Sequence, residues 1–373
     1  MKWLQNGNLA KLVAFFVISV VITCTVSFAA NGWGSFVSGG ASSDSVSADN
    51  ASQGQTAGDG SNTVAPEEDV SVSVPTPKYY HSITGLEIGL EETLKRPLCF
   101  VFSSTDPLYG ISSSYLTIEI PTEYGNTRLL CFTDDAKTLG KIGSLAPSRG
   151  YVSNLASYFG GILLHYGLDD RVVYDHDTPN SSLDFLETVG YCYTEYGSFV
   201  YTNADLVNAF INNMKVSETL TEAITLPYTF LADGQRVILD GGTANSVSVV
   251  YSDGNSTQLN YSSADGCYVL SKNTTSKTDL LNDKALKYDN AFILYADSTT
   301  YETEDATQLI LDTSTRGKGV YMSDGKHVDI LWERDAAGSL KFYTIEGKEL
   351  FVNRGTTYIG FVKSSQKGTV KIS

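Results

Sequence analysis

YLTIEIPTEYGNTRLLCFT (115–133) decides the fold class. In YLTIEI (Tyr115–Ile120) apolar and polar residues alternate, the period of a half-buried strand. Tyr-Gly-Asn at 124–126 supplies a turn, and TRLLCFT (Thr127–Thr133) reads as the returning strand. Upstream, RPLCFVF (Arg96–Phe102) is a short apolar run and reads as a buried strand. Downstream, Val152, Leu155, Tyr158/Phe159 and Ile162 recur at helical spacing, with Ser148 as N-cap. The Gly160-Gly161 pair weakens the end of that helix, and GILLH beyond it is equally open to being a strand. NADLVNAFINNM (Asn203–Met214) predicts a second helix, capped by Asn203, with Leu206, Val207, Phe210, Ile211 and Met214 on one face. Strands alternating with helices predict an α/β layered domain over 79–235.

From 236 to 373 the helical period gives way. RVILD, SVSVVY, GCYVLS, AFILYAD, TQLILD, KGVYMS, HVDILWE, LKFYT and TYIGFV read as short strands. Asp324-Gly325 between Ser323 and Lys326 predicts a tight hairpin, because both turn positions need φ > 0. A β-rich domain, sandwich or barrel-like, is expected here, so the fold class is α+β.

Before residue 79 the chain changes character. Residues 31–78 are dominated by Ser, Gly, Ala, Asp, Asn and Thr, with Asp44, Asp49, Asp59, Glu67, Glu68 and Asp69 against Lys78. So little apolar surface predicts a disordered linker. LVAFFVISVVITCTVSFAA (12–30) is uncharged and follows Lys2 and Lys11. As a helix it would cross most of a bilayer of about 30 Å. Three fates fit it: a retained membrane anchor, a signal peptide cleaved after Ala29, or a lipoprotein acylated at Cys24. Each exports residues 31–373, to the extracytoplasmic face of the cell membrane or into secretion.

The composition narrows the function. The net charge of −16 excludes nucleic-acid binding by counterion release. Five cysteines in 373 residues are too few for a disulfide scaffold. Cys99 and Cys131, in apolar strands, suit buried thiols or a cross-strand disulfide, and a Cys192–Cys267 bridge is the other pairing considered. The chain has no C-x-x-C, G-x-S-x-G, H-E-x-x-H, Walker or Rossmann motif. No cofactor and no metal are expected. Twenty-three tyrosines, mostly in strands, reflect β-propensity and also suit stacking on sugar rings.

RPLCFVF, YLTIEIPTEYGNTRLLCF and KIGSLAPSRGYVSNLASYFGGILLHYG resemble the first domain of the YerB-like bacterial envelope family, domain of unknown function 3048. RGKGVYMSDGKHVDILWER and FYTIEGKELFVNRGTTYIGFV resemble its second domain. The resemblance covers roughly 85–365 and implies an anchored extracytoplasmic protein of two domains with no established reaction. Glu119, Glu123, Arg128, Arg149 and His165 match the family's polar positions. Tyr115, Ala146, Ser198 and Phe199 depart from them.

Glu119, Glu123, Arg128 and Arg149, with His165, form the candidate anion- or ligand-binding set. Two arginines beside two carboxylates can clamp a phosphate, a carboxylate or a sugar polymer, and Arg149 stands at a helix start where an anion is held. The same residues equally suit Glu–Arg pairs that neutralise half-buried charges. His165, Asp169, Asp170, His176 and Asp177 match no metal-ligand spacing and read more simply as a core histidine before a solvated loop. Two functions follow. One is a non-catalytic, membrane-tethered binding or scaffold module of the cell envelope, engaging a protein or a wall polymer. The other is a transferase or hydrolase acting on a membrane-linked, phosphate-bearing glycan. The strand–turn–strand–SRG–helix order loosely resembles the LytR-CpsA-Psr glycopolymer transferases.

Overall fold

A computed structural model of the chain describes residues 77–134, 136–167, 182–302, 307–335 and 339–373. The expected membrane segment, most of the linker, and Asp169, Asp170, His176 and Asp177 lie outside these residues. Among the described residues no helix is long and apolar enough to cross a membrane.

The first half supplies β1 (Leu98–Ser103), β2 (Leu116–Pro121), β3 (Thr127–Thr133), α1 (Gly150–Tyr158), β4 (Ile162–His165), β5 (Ser182–Asp184) and α2 (Ala204–Met214). The second half supplies β6 (Ser246–Ser252), β7 (Asn255–Ser262), β8 (Cys267–Lys272), β9 (Asn290–Ala296), β10 (Arg316–Ser323), β11 (Lys326–Arg334), β12 (Leu340–Thr344) and β13 (Thr357–Lys363). The sequence reading of β2, β3, β12 and β13 agrees with these bounds to within a residue. Asn203 caps α2 by accepting from the Leu206 N–H at 3.0 Å, an interaction of about 1 kcal/mol. GILLH is the strand β4 and ends the helix at Tyr158. Gly160 and Gly161 lie between the two. A Cβ on Gly161 would meet the Cys99 sulfur, so the chain can pass β1 there only with glycine.

One eleven-stranded sheet runs through both halves, across the expected boundary at 235/236. Its order is β11-β10-β9-β13-β2-β3-β1-β4-β5, with β12 and the short strand Gly242–Thr243 sharing the outer edge of β11. The joint is β13 beside β2, parallel, with Ile359 opposite Ile118. Asp279, fully buried, also ties the halves together: it accepts from the backbone of Gly110 and Ser112 at 2.9 Å each.

Three layers result. α1 packs on one face of the sheet with Val152, Leu155 and Phe159 against Val101, Ile118, Ile120, Leu130 and Phe132. On the other face lie α2 and a second, six-stranded sheet containing β6, β7 and β8. Val247, Val249, Leu259 and Leu270 from that sheet share a core with Cys131, Ile293, Val320 and Tyr358. The described chain is thus strand-rich, with sheet packed on sheet as the second half's alternation predicts.

Two expectations in the second half fail. RVILD (236–240) forms no strand: Val237 donates to the Asn353 side-chain oxygen at 2.7 Å and accepts from its nitrogen at 3.0 Å, so a side-chain amide takes the place of a ladder. NSTQLNYS, read as no element, is β7. Its apolar contribution is confined to positions such as Leu259, too few to stand out from the polar residues between them. The Asp324-Gly325 hairpin forms as expected, with φ of 52° and 69°.

The four described cysteines are free. Cys99 sits opposite Phe132, and Cys131 opposite Phe100. This one-residue offset turns the two thiols to opposite faces of the sheet and rules out a bridge. Burial pushes the Cys131 thiol up to about 12.

Candidate functional site

The five candidate residues do not converge. β2 and β3 pair with Glu119 opposite Leu129 and Ile120 opposite Arg128. Side chains alternate, so Glu119 faces the six-stranded sheet while Arg128 faces α1.

Glu119 is fully buried. Its carboxylate accepts from Lys272 Nζ at 2.6 Å, Thr127 Oγ1 at 2.6 Å, Thr257 Oγ1 at 2.7 Å and the Tyr358 hydroxyl at 2.6 Å. Burial works to raise its pKa, but the Lys272 ammonium and the three hydroxyls together hold it below the usual carboxylate value. Burial also drives the Tyr358 hydroxyl well up, so it stays a donor. Lys272, on β8, donates further to Thr257 at 2.8 Å. The cluster is a staple between the two sheets: β2, β3 and β13 on one side, β7 and β8 on the other.

Glu123 lies just past β2, on the rim formed by the carboxyl ends of β1 and β2 and the start of α1. Arg149, the N-cap residue of α1, grips it with both arms, Nε to Oε1 at 3.0 Å and Nη2 to Oε2 at 2.8 Å. Arg149 also donates to its neighbour's carbonyl, Ser148 O, at 2.7 Å, and Glu123 accepts from the Leu309 N–H at 3.1 Å. Burial works against the Glu123 charge, yet Arg149 keeps its pKa below the usual value. Arg128 is half-buried in the same neighbourhood. Burial, and then the nearby Arg149 charge, lower its pKa. Its Nη1 reaches Thr127 O at 3.4 Å, and among the described residues its buried Nε has no hydrogen-bond partner.

His165 ends β4 and is fully buried. Its Nδ1 lies 2.8 Å from Gly167 O and its Nε2 3.0 Å from Ser182 Oγ. Burial lowers its pKa against the pull of Asp184, so it is a neutral core histidine near neutral pH. Asp184 accepts from the backbone N–H groups of Gly167 and Leu186. Among the described residues no group of three metal-binding side chains occurs.

The structure therefore joins Glu123, Arg128 and Arg149, and separates Glu119 and His165 from them. Lys272, Thr257 and Tyr358 escaped the sequence reading. They lie more than 130 residues from Glu119 in the chain. The available signal was the pairing of Thr117 with Glu119 on one face of a strand, which a solvent-facing edge equally explains.

Two concavities open elsewhere. One of about 740 Å³ is lined by Arg316, Lys318, Leu331, Glu333 and Tyr343, on β10 to β12. Another of about 550 Å³ lies between residues 237–242 and the β12 side of the sheet.

Residues 247–359 match the family model "Protein of unknown function (DUF3048) C-terminal domain". No curated protein matches the chain. The crystal structure of YerB protein from Bacillus subtilis is similar in fold, with a TM-score of 0.68 at 21% identity over 79% of this chain and 100% of that one. The chain thus resembles the YerB-like DUF3048 family over residues 247–359, within a fold similar to that of YerB along the whole of YerB.

Proposed function

We propose that this chain is a membrane-tethered, extracytoplasmic binding module of the bacterial cell envelope, held by residues 12–30 and carrying no chemistry at the strand-end rim. One observation carries the reading: the acid and base groups of the candidate site are already engaged inside the fold. Glu119 is sealed against Lys272, Glu123 is gripped by Arg149, and His165 is held by Gly167 and Ser182. A general acid or base must reach a substrate, and a phosphate clamp needs its arginines turned to one shared anion. Here Arg149 is turned to Glu123. The glycan transferase reading loses its second arginine for that reason.

The test uses the full chain in cells. Crosslinking of intact cells is expected to recover a wall polymer or an envelope protein. Arg128→Gln, at unchanged melting temperature, is expected to leave that recovery and any associated phenotype intact. Recovery of nothing overturns the binding reading. Loss of phenotype in Arg128→Gln with recovery unchanged returns the transferase reading.

A further inference from the structure

The register of β10, β11 and β12 sets side chains in rows. Arg316, Glu333 and Lys341 are cross-strand neighbours in one row, and Lys318, Leu331 and Tyr343 in the next. Rows two residues apart share a face of the sheet. The opposite face carries Gly317, Trp332 and Phe342, with both rings in the core beneath. A Cβ on Gly317 would meet Tyr295 O and the Trp332 ring, so this end of the sheet is packed tight from behind. On the front face the core covers Val320 and Met322 and stops there. Arg316 and Lys318 are exposed beyond it, and Leu331, Glu333, Lys341 and Tyr343 are half-buried. These side chains make the 740 Å³ groove, with Lys341 on its flank.

Its charge runs against the rest of the molecule. The chain carries −16, yet three cations gather here, and among the described residues none has a carboxylate within ion-pair distance. Elsewhere Lys78, Lys141 and Lys287 are paired with Asp233, Glu195 and Asp265 at 2.6–3.0 Å. Between Arg316 and Lys341 lies Glu333, the one carboxylate among the groove's described lining residues, and beside Lys318 lie Leu331 and the Tyr343 ring. Burial, and then Glu333 beside it, raise the Tyr343 hydroxyl pKa, so the ring is neutral and its hydroxyl remains a donor.

A flat apolar ring flanked by cations that, among the described residues, have no carboxylate within ion-pair distance complements one kind of ligand: a ring with an apolar face and an anionic substituent. We propose that this groove binds an acidic polysaccharide, one sugar stacked on Tyr343 and Leu331 and its carboxylate or phosphate held by Arg316, Lys318 and Lys341. The proposal rests on the binding-module reading above and names its ligand class. An acidic polypeptide would satisfy the cations but leave the ring unused. That is the alternative the test separates.

The experiment measures binding of the detergent-solubilised full chain to polygalacturonate and to a phosphomannan, with neutral dextran and polyglutamate as controls. Binding to at least one acidic polysaccharide is expected, and none to dextran; which one binds distinguishes carboxylate from phosphate. Arg316→Gln/Lys318→Gln/Lys341→Gln should weaken it by roughly tenfold or more, and added salt should weaken it further. Tyr343→Leu should weaken glycan binding by roughly tenfold and leave any polyglutamate binding unchanged. Circular dichroism and melting temperature check that each variant is folded. Absence of wild-type binding to either polysaccharide overturns the proposal. So does a triple variant that binds within about twofold of wild type, or polyglutamate binding as tight as glycan binding. If cellular crosslinking still recovers a partner in those cases, the groove is wrong and the binding module stands; if it recovers none, both fall.

Discussion

Glu119 and Glu123 stand on one strand and the turn that follows it, and each meets a single cation. Their surroundings differ. Glu119 is sealed between two sheets with an ammonium and three hydroxyls, no side chain of the cluster exposed by more than a few per cent. Glu123 sits on the rim with 11% of its side chain exposed, and Arg149 beside it with 15%. The first pair must balance the full cost of removing two charges from water. The second keeps part of its hydration and pairs by geometry, two arms of a guanidinium on one carboxylate. Equal residues at neighbouring positions therefore carry unequal weight, and the covering layer sets the weight.

The sharpest way to break this comparison is Glu119→Gln. It leaves the Lys272 ammonium buried without a counter-charge, so a loss of about 3–5 kcal/mol is expected in denaturant unfolding. A loss below that of Glu123→Gln would show that the staple between the sheets is not what it looks like. Adding Lys272→Met to Glu119→Gln should return part of the loss, since the stranded charge goes with it. The hydroxyls of Thr127, Thr257 and Tyr358 then keep the double variant below wild type. Additive losses would mean that the two residues act separately.

Glu123→Gln should cost only about 1 kcal/mol, and less at high salt, where a rim pair is screened and a buried one is not. The smallest effect is on pH. The folded pKa of Glu123 is lowered, so its pairing stabilises the protein above the unfolded carboxylate pKa. That stability fades as the pH falls through the lowered value. Acid titration of stability should therefore be shallower for Glu123→Gln than for wild type. Equal slopes would show that Arg149 does not hold the Glu123 charge.

Much of the fold is legible in the residues. The alternation in YLTIEI, the apolar run in LKFYT and the Asp-Gly turn at 324–325 act over a few residues, and each forms as its local chemistry dictates. The capped helix at 204–214 is equally local. The candidate site was legible in part. The Glu123–Arg149 pair joins a turn to a helix start only 26 residues on. Lys272 reaches Glu119 from 153 residues away. RVILD looks like a strand and is held instead by Asn353, 116 residues on.

The sequence by itself determined where most strands, turns and helices fall, because propensity and apolar period are properties of short segments. It also determined the acidic balance, a net charge of −16. Only the tertiary structure decided that β13 would lie beside β2 and make one sheet of both halves. It alone decided that the Thr117–Glu119 face, polar by every local sign, would be covered by β7 and β8. The physical reason is the period of a strand. Alternation tells which residues share a face, and only the packing of distant segments tells whether that face meets water.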